Sequence, residues 1–275
     1  MSKKKSISIL GCGWLGVPLA CHLIEKGYLV NGSYRDIDNK STLINNSIEP
    51  YQINLADKEL LKNTDSFFDV NYLIISIPPG RSPAINKQYA DLFTNVIESA
   101  NRFKLEGVIF LSSTSVYPAS QANVSETCDD SPDKPVGHAI LAAEKKLSND
   151  LTCPITILRL AGLIGYDRVP QNYLKDKKVI RMSDGPVNLI HRDDCIRIIE
   201  GVLNKKVWKE TVNVCYEEHP TRKEYYQAAA DKYNFELPPF ENSDQSNFKI
   251  VDNAKLKNIF GNDLLKYSNP LELFR

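Results

Sequence analysis

Six residues near the start of the chain, Gly11-Cys12-Gly13-Trp14-Leu15-Gly16, constrain its fold more than any others. They follow a short apolar run at 6–10. Behind them Leu15, Leu19 and Leu23, with Val17, Ala20 and Ile24, recur at helical spacing until Gly27. Glycines spaced G-x-G-x-x-G between a strand and a helix form the turn of a βαβ unit. The first permits the tight turn, the second lets a pyrophosphate approach the backbone, and the third lets the helix pack on the strand. The helix start, with the N–H groups of Trp14 and Leu15, offers donors and a partial positive charge to phosphates. The expectation is a dinucleotide held by Gly11, Gly13, Trp14, Leu15 and Gly16.

The pattern beyond the turn continues that unit. Residues 29–34 read as a second strand, 51–55 as a third and 70–77 as a fourth, stopped by Pro78-Pro79-Gly80. Tyr89, Leu92, Phe93, Val96, Ile97, Ala100 and Phe103 trace one face of a helix. Residues 108–111 read as a fifth strand, the segment around 139–147 as a helix, and 155–160 as a sixth strand. Alternating strands and helices imply an α/β, NAD(P)-binding Rossmann fold: a doubly wound parallel sheet covered on both faces. After Gly165 loops interrupt the pattern, and helices at 193–203 and 223–233 flank a strand at 211–215. The expected organisation is a dinucleotide-binding domain over 1–165 and a small C-terminal substrate lobe over 166–275, parts of which return to the sheet.

Composition narrows the partners. Lysine plus arginine and aspartate plus glutamate number 34 each, so no net charge draws the chain to nucleic acid or to an anionic membrane. No apolar run reaches the roughly 18 residues of a membrane span. The run after Met1-Ser2-Lys3-Lys4-Lys5 is too short for a secretory signal. Six scattered cysteines without a CxxC pair read as reduced thiols, which places the chain in the cytoplasm. Glu217-Glu218-His219 has metal-ligand residue types but no second cluster, so no metal is expected. The remaining partner is a small molecule, bound by a monomer or homodimer.

Which dinucleotide is bound depends on the end of the second strand, where a carboxylate normally holds the adenosine ribose. That slot falls on Tyr34, with Arg35 next and Asp36 after it. An arginine there pairs with a 2′-phosphate, which favours NADP; Asp36 keeps NAD open.

The turn at 11–20, Leu111-Ser112-Ser113-Thr114-Ser115-Val116-Tyr117, and Arg159-Leu160-Ala161-Gly162-Leu163-Ile164-Gly165 together resemble the extended short-chain dehydrogenase/reductases. More narrowly, they resemble the YeeZ-like branch, an atypical group within the NAD-dependent epimerase/dehydratase-like family. The likeness runs from about 6 to 271, and Trp14-Leu15 inside a GxGxxG turn is its most specific mark. It implies Asn54-Leu55 near adenine, Ser76, Ile77 and Pro78 under the adenosine ribose, and Ser112 with Leu160, Ala161 and Gly162 toward the nicotinamide. Ser113 falls where the family keeps its catalytic serine or threonine.

One departure bears on the chemistry. The family's Tyr-x-x-x-Lys pair falls, without a gap, on Val136 and Ile140 of Val136-Gly137-His138-Ala139-Ile140-Leu141-Ala142-Ala143-Glu144. A phenol moves the substrate's proton while an ammonium lowers its pKa; valine and isoleucine do neither. His138, two positions on, is a candidate base but reads better as a helix-start contact, and His191 as a cap for the helix after it. Two functional classes remain. One is an atypical oxidoreductase or epimerase-like enzyme acting on a small polar or nucleotide-linked substrate. The other is a non-catalytic dinucleotide-binding sensor or scaffold.

Overall fold

A computed structural model describes residues 4–57, 64–80, 88–119, 123–241 and 248–275. The apolar runs become the strands of a 7-stranded sheet: β1 (Ser6–Leu10), β2 (Leu29–Tyr34), β3 (Glu49–Gln52), β4 (Tyr72–Ile75), β5 (Gly107–Ser113), β6 (Ile155–Leu160) and β7 (Thr211–Val214). Their order is β7-β6-β5-β4-β1-β2-β3. β1 pairs in parallel with β2 and with β4, β2 with β3, and β4 with β5. Every residue of β4 is buried, as is β5 up to Ser112, because a parallel sheet is covered on both faces. The fold is the doubly wound α/β sheet of a Rossmann domain.

Helices α1 (Gly16–Glu25), α2 (Lys40–Asn45), α3 (Thr94–Ala100), α4 (Pro135–Asp150), α5 (Arg192–Lys205) and α6 (Arg222–Tyr233) come between and after these strands. Pro135 opens α4 at a position where the missing N–H leaves no bond unmade. A reciprocal pair opens α6: the Thr221 hydroxyl accepts from the Glu224 N–H at 3.1 Å, and the Glu224 carboxylate accepts from the Thr221 N–H at 2.8 Å. Those bonds favour the ionised carboxyl and hold it below the usual carboxylate range. At α5 the His191 ring performs the capping, its Nδ1 accepting from the Asp193 N–H at 3.2 Å.

Several expected elements differ in extent. The third strand runs Glu49–Gln52 rather than 51–55, and Pro50 is tolerated because β3 lies at the sheet edge. The fourth strand runs Tyr72–Ile75; Ser76 still donates its N–H to the Leu10 carbonyl at 2.8 Å, and Ile77 and Pro78 lie beyond the strand. The helix traced from Tyr89 to Phe103 is a 3₁₀ turn, Asp91–Phe93, followed by α3, which ends at Ala100. Tyr89 and Phe93 are still buried, so apolar spacing identified the inward residues but not the helix length.

The chain forms two compact units that interleave along the sequence. One comprises Met1–Val116, Lys134–Leu158 and Ile199–Thr211; the other comprises Tyr117–Asp133, Arg159–Ile198 and Val212–Arg275. A single division at 165 therefore does not describe them. The core of the first holds Ile7, Ile9, Leu19, Leu23, Phe67, Phe93 and Phe110. In the second, the Tyr117 hydroxyl donates to Asn213 Oδ1 at 2.7 Å and accepts from Arg159 at 2.9 Å. Among the described residues no helix is long and apolar enough to cross a membrane. All six cysteines are free thiols.

Candidate functional site

The sheet order reverses at β1, whose neighbours β2 and β4 continue in opposite directions. At such a point the loops leaving the carboxyl ends of the strands diverge and open a crevice. A cleft of about 600 Å³ lies there, within the first unit. Gly11, Cys12 and Gly13 after β1 line it, with Ser33 to Asp36 at the end of β2, Ile53 to Ala56 after β3, and Ser76 to Pro78 after β4. Asn39, Gly80, Gln88, Tyr89 and Leu92 complete the wall.

Local bonding explains the shape of the turn. Gly11 has φ +107°, and a Cβ there would lie 2.6 Å from the Ser76 carbonyl oxygen. Its N–H donates to the Ser33 hydroxyl at 2.7 Å, and the next N–H, of Cys12, donates to the Ser33 carbonyl at 2.9 Å. Ser33 thus ties the turn to β2. Gly13 differs from its neighbours, since a Cβ on it would meet nothing within 4 Å. Burial pushes the Cys12 thiol up to about 12, so it is a neutral thiol at physiological pH.

Two charged groups stand at the end of β2. Arg35 and Asp36 pair through Nε–Oδ1 and Nη2–Oδ2 contacts of 3.3 Å, both side chains well exposed. The pair raises the Arg35 guanidinium further above its usual range. Tyr34, in the ribose-carboxylate slot, is buried. On the opposite wall the Tyr89 hydroxyl donates to the Ile77 carbonyl at 2.5 Å, anchoring the backbone that leads into Pro78.

The sequence-predicted residues Gly11, Gly13, Tyr34, Arg35, Asn54, Leu55, Ser76, Ile77 and Pro78 are brought together in this cleft. Trp14, Leu15 and Gly16 are not in its lining: they carry the turn into α1, with Leu15 and Gly16 buried. Ser112 is buried, its hydroxyl donating to the buried Glu144 carboxylate of α4. Ser113 is half-buried at the end of β5, donating to the Ser115 hydroxyl at 3.0 Å and accepting from the Ser115 N–H at 3.1 Å. Leu160, Ala161 and Gly162 belong to the second unit, where Ala161 donates its N–H to Val214 and Gly162 donates to Asn188. Ser33 was not singled out in the sequence, and Tyr89 was read there only as an apolar position on a helix face. Ser33, next to the last residue of β2, stands at the strand's carboxyl end beside the turn, whereas the place of Tyr89 in the wall is a tertiary contact with Ile77 that no periodicity encodes.

The segment 7–215 matches the NAD dependent epimerase/dehydratase family. The chain belongs to that family. Along nearly its whole length it is 32% identical to Protein YeeZ of Escherichia coli K12, over 97% of this chain and 98% of that protein. A functionally unknown conserved protein from Silicibacter pomeroyi superposes with a TM-score of 0.79 at 24% identity, covering 98% of each chain. UDP-glucuronic acid 4-epimerase from Bacillus cereus, solved with NAD, superposes with a TM-score of 0.80 at 20% identity, covering 97% of this chain and 94% of that one.

Proposed function

We propose that this protein binds a nicotinamide dinucleotide in the switch-point cleft, NADP in preference to NAD, and acts as an atypical oxidoreductase or epimerase-like enzyme of the cytoplasm. The observation that carries the reading is the contrast within the glycine turn. Side chains at Gly11 or Gly16 would strike backbone, while the space over Gly13 is open toward the cleft. A pyrophosphate fits where the backbone alone forms the wall and the first turn of α1 supplies N–H donors.

Arg35 supports the NADP preference, because it lines the cleft where the adenosine ribose belongs and can exchange Asp36 for a 2′-phosphate. Asp36 lines the same wall and supports a second reading, in which its carboxylate accepts from the ribose hydroxyls of NAD.

When bound, a nicotinamide ring supplies hydride-transfer chemistry; the protein must handle the proton. In the register of the family resemblance, α4 offers Val136, half-buried, and Ile140, only 3% exposed. Neither side chain moves a proton or grips a ribose. Ser113 can donate to a substrate oxygen by turning its hydroxyl from Ser115. The proposed substrate is small and polar or nucleotide-linked, and the proposed assembly is a monomer or homodimer. A non-catalytic sensor is the rival function, favoured by the apolar pair on α4.

The test is a titration of the purified protein with NADPH and NADH, followed by a metabolite screen for change in nicotinamide absorbance. Binding followed by turnover that Ser113→Ala abolishes supports the enzyme. Binding with no turnover of any sugar nucleotide or carbonyl compound supports the sensor. No binding of either dinucleotide overturns both.

A further inference from the structure

We infer that the turn Gly165–Arg168 is an acid-sensitive latch: a proton taken up at His191 Nδ1 removes the cap of α5 and, through Asp193, frees Tyr166 from Arg192. The inference stands apart from the dinucleotide reading, since all these residues lie in the second unit. The Arg168 N–H donates to the Gly165 carbonyl at 3.0 Å and closes the turn. Tyr166 sits in it at φ +57°, in the left-handed region that an L side chain enters only at a cost. The residue is 58% exposed, so burial does not hold it there. Side-chain contacts with the start of α5 do. The phenol hydroxyl lies 3.0 Å and 2.9 Å from the two Asp193 carboxylate oxygens, and the ring lies 3.7 Å from the Arg192 guanidinium.

His191 decides where Asp193 stands. Its Nδ1 accepts from the Asp193 N–H at 3.2 Å, which assigns the proton of the neutral ring to Nε2. A ring nitrogen has a single lone pair, so a protonated Nδ1 cannot keep that bond. Two donors then face each other, and Asp193 Oδ2, 3.7 Å from Nδ1, is the acceptor beside them. As the carboxylate turns to the new N–H and the first turn of α5 gives way, the partner of the Tyr166 hydroxyl moves. The other groups that face the ring are Arg192 and Asp194 on α5, Lys266 and Tyr267 from the C-terminal segment, and Tyr166 itself. The Tyr216 hydroxyl accepts from the His191 backbone N–H, and Asp167 and Arg168 on the turn are exposed. Burial lowers the His191 pKa, with Lys266 and Arg192 adding to the effect and both aspartates opposing it, so the latched form is the one at neutral pH.

The experiment is an NMR titration of the full chain from about pH 8 to about pH 5, which spans the ordinary histidine range. It follows the His191 ring nitrogens, the Overhauser contacts between the Tyr166 ring and the Arg192 side chain, and hydrogen exchange at the Asp193 amide. We expect an Nε2–H ring at the upper end. As Nδ1 takes a proton, the Tyr166–Arg192 contacts should lose about half their intensity or more, because the latched population falls. The Asp193 amide should lose about fivefold or more of its protection at the same midpoint, the size of a lost helix cap. In His191→Gln, whose amide oxygen still accepts but does not titrate, the Tyr166–Arg192 contacts should persist to the acid end. If that variant does not fold, the wild-type tautomer and the shared midpoint decide. An Nδ1–H ring at the upper end, contacts that survive His191 protonation, or unfolding of the whole chain before His191 titrates overturns the inference.

Discussion

Gly16 packs so closely on Gly11 that a Cβ at Gly16 would lie 2.4 Å from the Gly11 carbonyl oxygen. The helix and the strand it follows are therefore in backbone contact at the turn, and Gly13 between them stands clear. Substitutions at the two positions are expected to separate folding from binding. Gly13→Val should melt near the wild-type temperature but lose dinucleotide affinity by about a hundredfold or more, equivalent to about 2.8 kcal/mol. Gly16→Val should lose about 1–3 kcal/mol of stability by overpacking. Calorimetry and thermal melts read the two effects, and unchanged affinity in Gly13→Val would remove the proposed pyrophosphate position.

Arg35 and Asp36 compete for opposite outcomes at one wall. Arg35→Ala should weaken NADP by about tenfold while leaving NAD nearly unchanged, since a charge-assisted bond to the 2′-phosphate is lost. Asp36→Asn should act in the reverse sense, weakening NAD and favouring NADP. Because the pair is exposed, the NADP effect should shrink as salt is raised. Equal losses of both cofactors in Arg35→Ala would show that it does not select between them.

A buried polar chain stabilises the second unit. The Tyr216 hydroxyl donates to Asp194 Oδ2 at 2.7 Å and accepts from the His191 N–H at 3.1 Å, while the Lys266 N–H donates to Asp194 Oδ1 at 2.6 Å. Tyr216 and Asp194 are fully buried. Tyr216→Phe should reduce stability by about 1–3 kcal/mol, because the Asp194 carboxylate and the His191 N–H each lose a partner. Urea unfolding measures the loss, and a variant as stable as wild type would mean that the chain of bonds contributes nothing net.

Stability is expected to fall with acidification below the ordinary histidine value. Burial lowers the pKa of His191 and of His219, outweighing the carboxylates near each. The unfolded chain therefore takes up protons that the folded one refuses. The stabilisation is present above a pH of about 6.5 and is lost as pH falls through and below that value. Glu224 and Glu106, whose folded pKa values are depressed by their bonding partners, add losses only at more acid pH, below the usual carboxylate range. Melting temperatures across the mildly acid range should drop for wild type and flatten in a His191→Gln, His219→Gln double variant. An unchanged slope in that variant would assign the acid sensitivity elsewhere.

The sequence by itself determined the layered architecture and the place of the turn, because both are local. Apolar spacing with a period of two or about 3.6 is set by backbone geometry, and Gly16 is demanded by its contact with the Gly11 carbonyl five residues earlier. Strands β1, β2 and β6 have their expected bounds for that reason. Only the tertiary structure decided that β3 ends at Gln52, that Tyr89 holds the Ile77 carbonyl and that Ser33 holds the turn. It also showed that residues 117–133 and 199–211 exchange between the two units. These depend on which distant backbone groups meet once strands have paired, and on how much apolar surface each loop buries. A pattern confined to neighbouring residues carries no record of either.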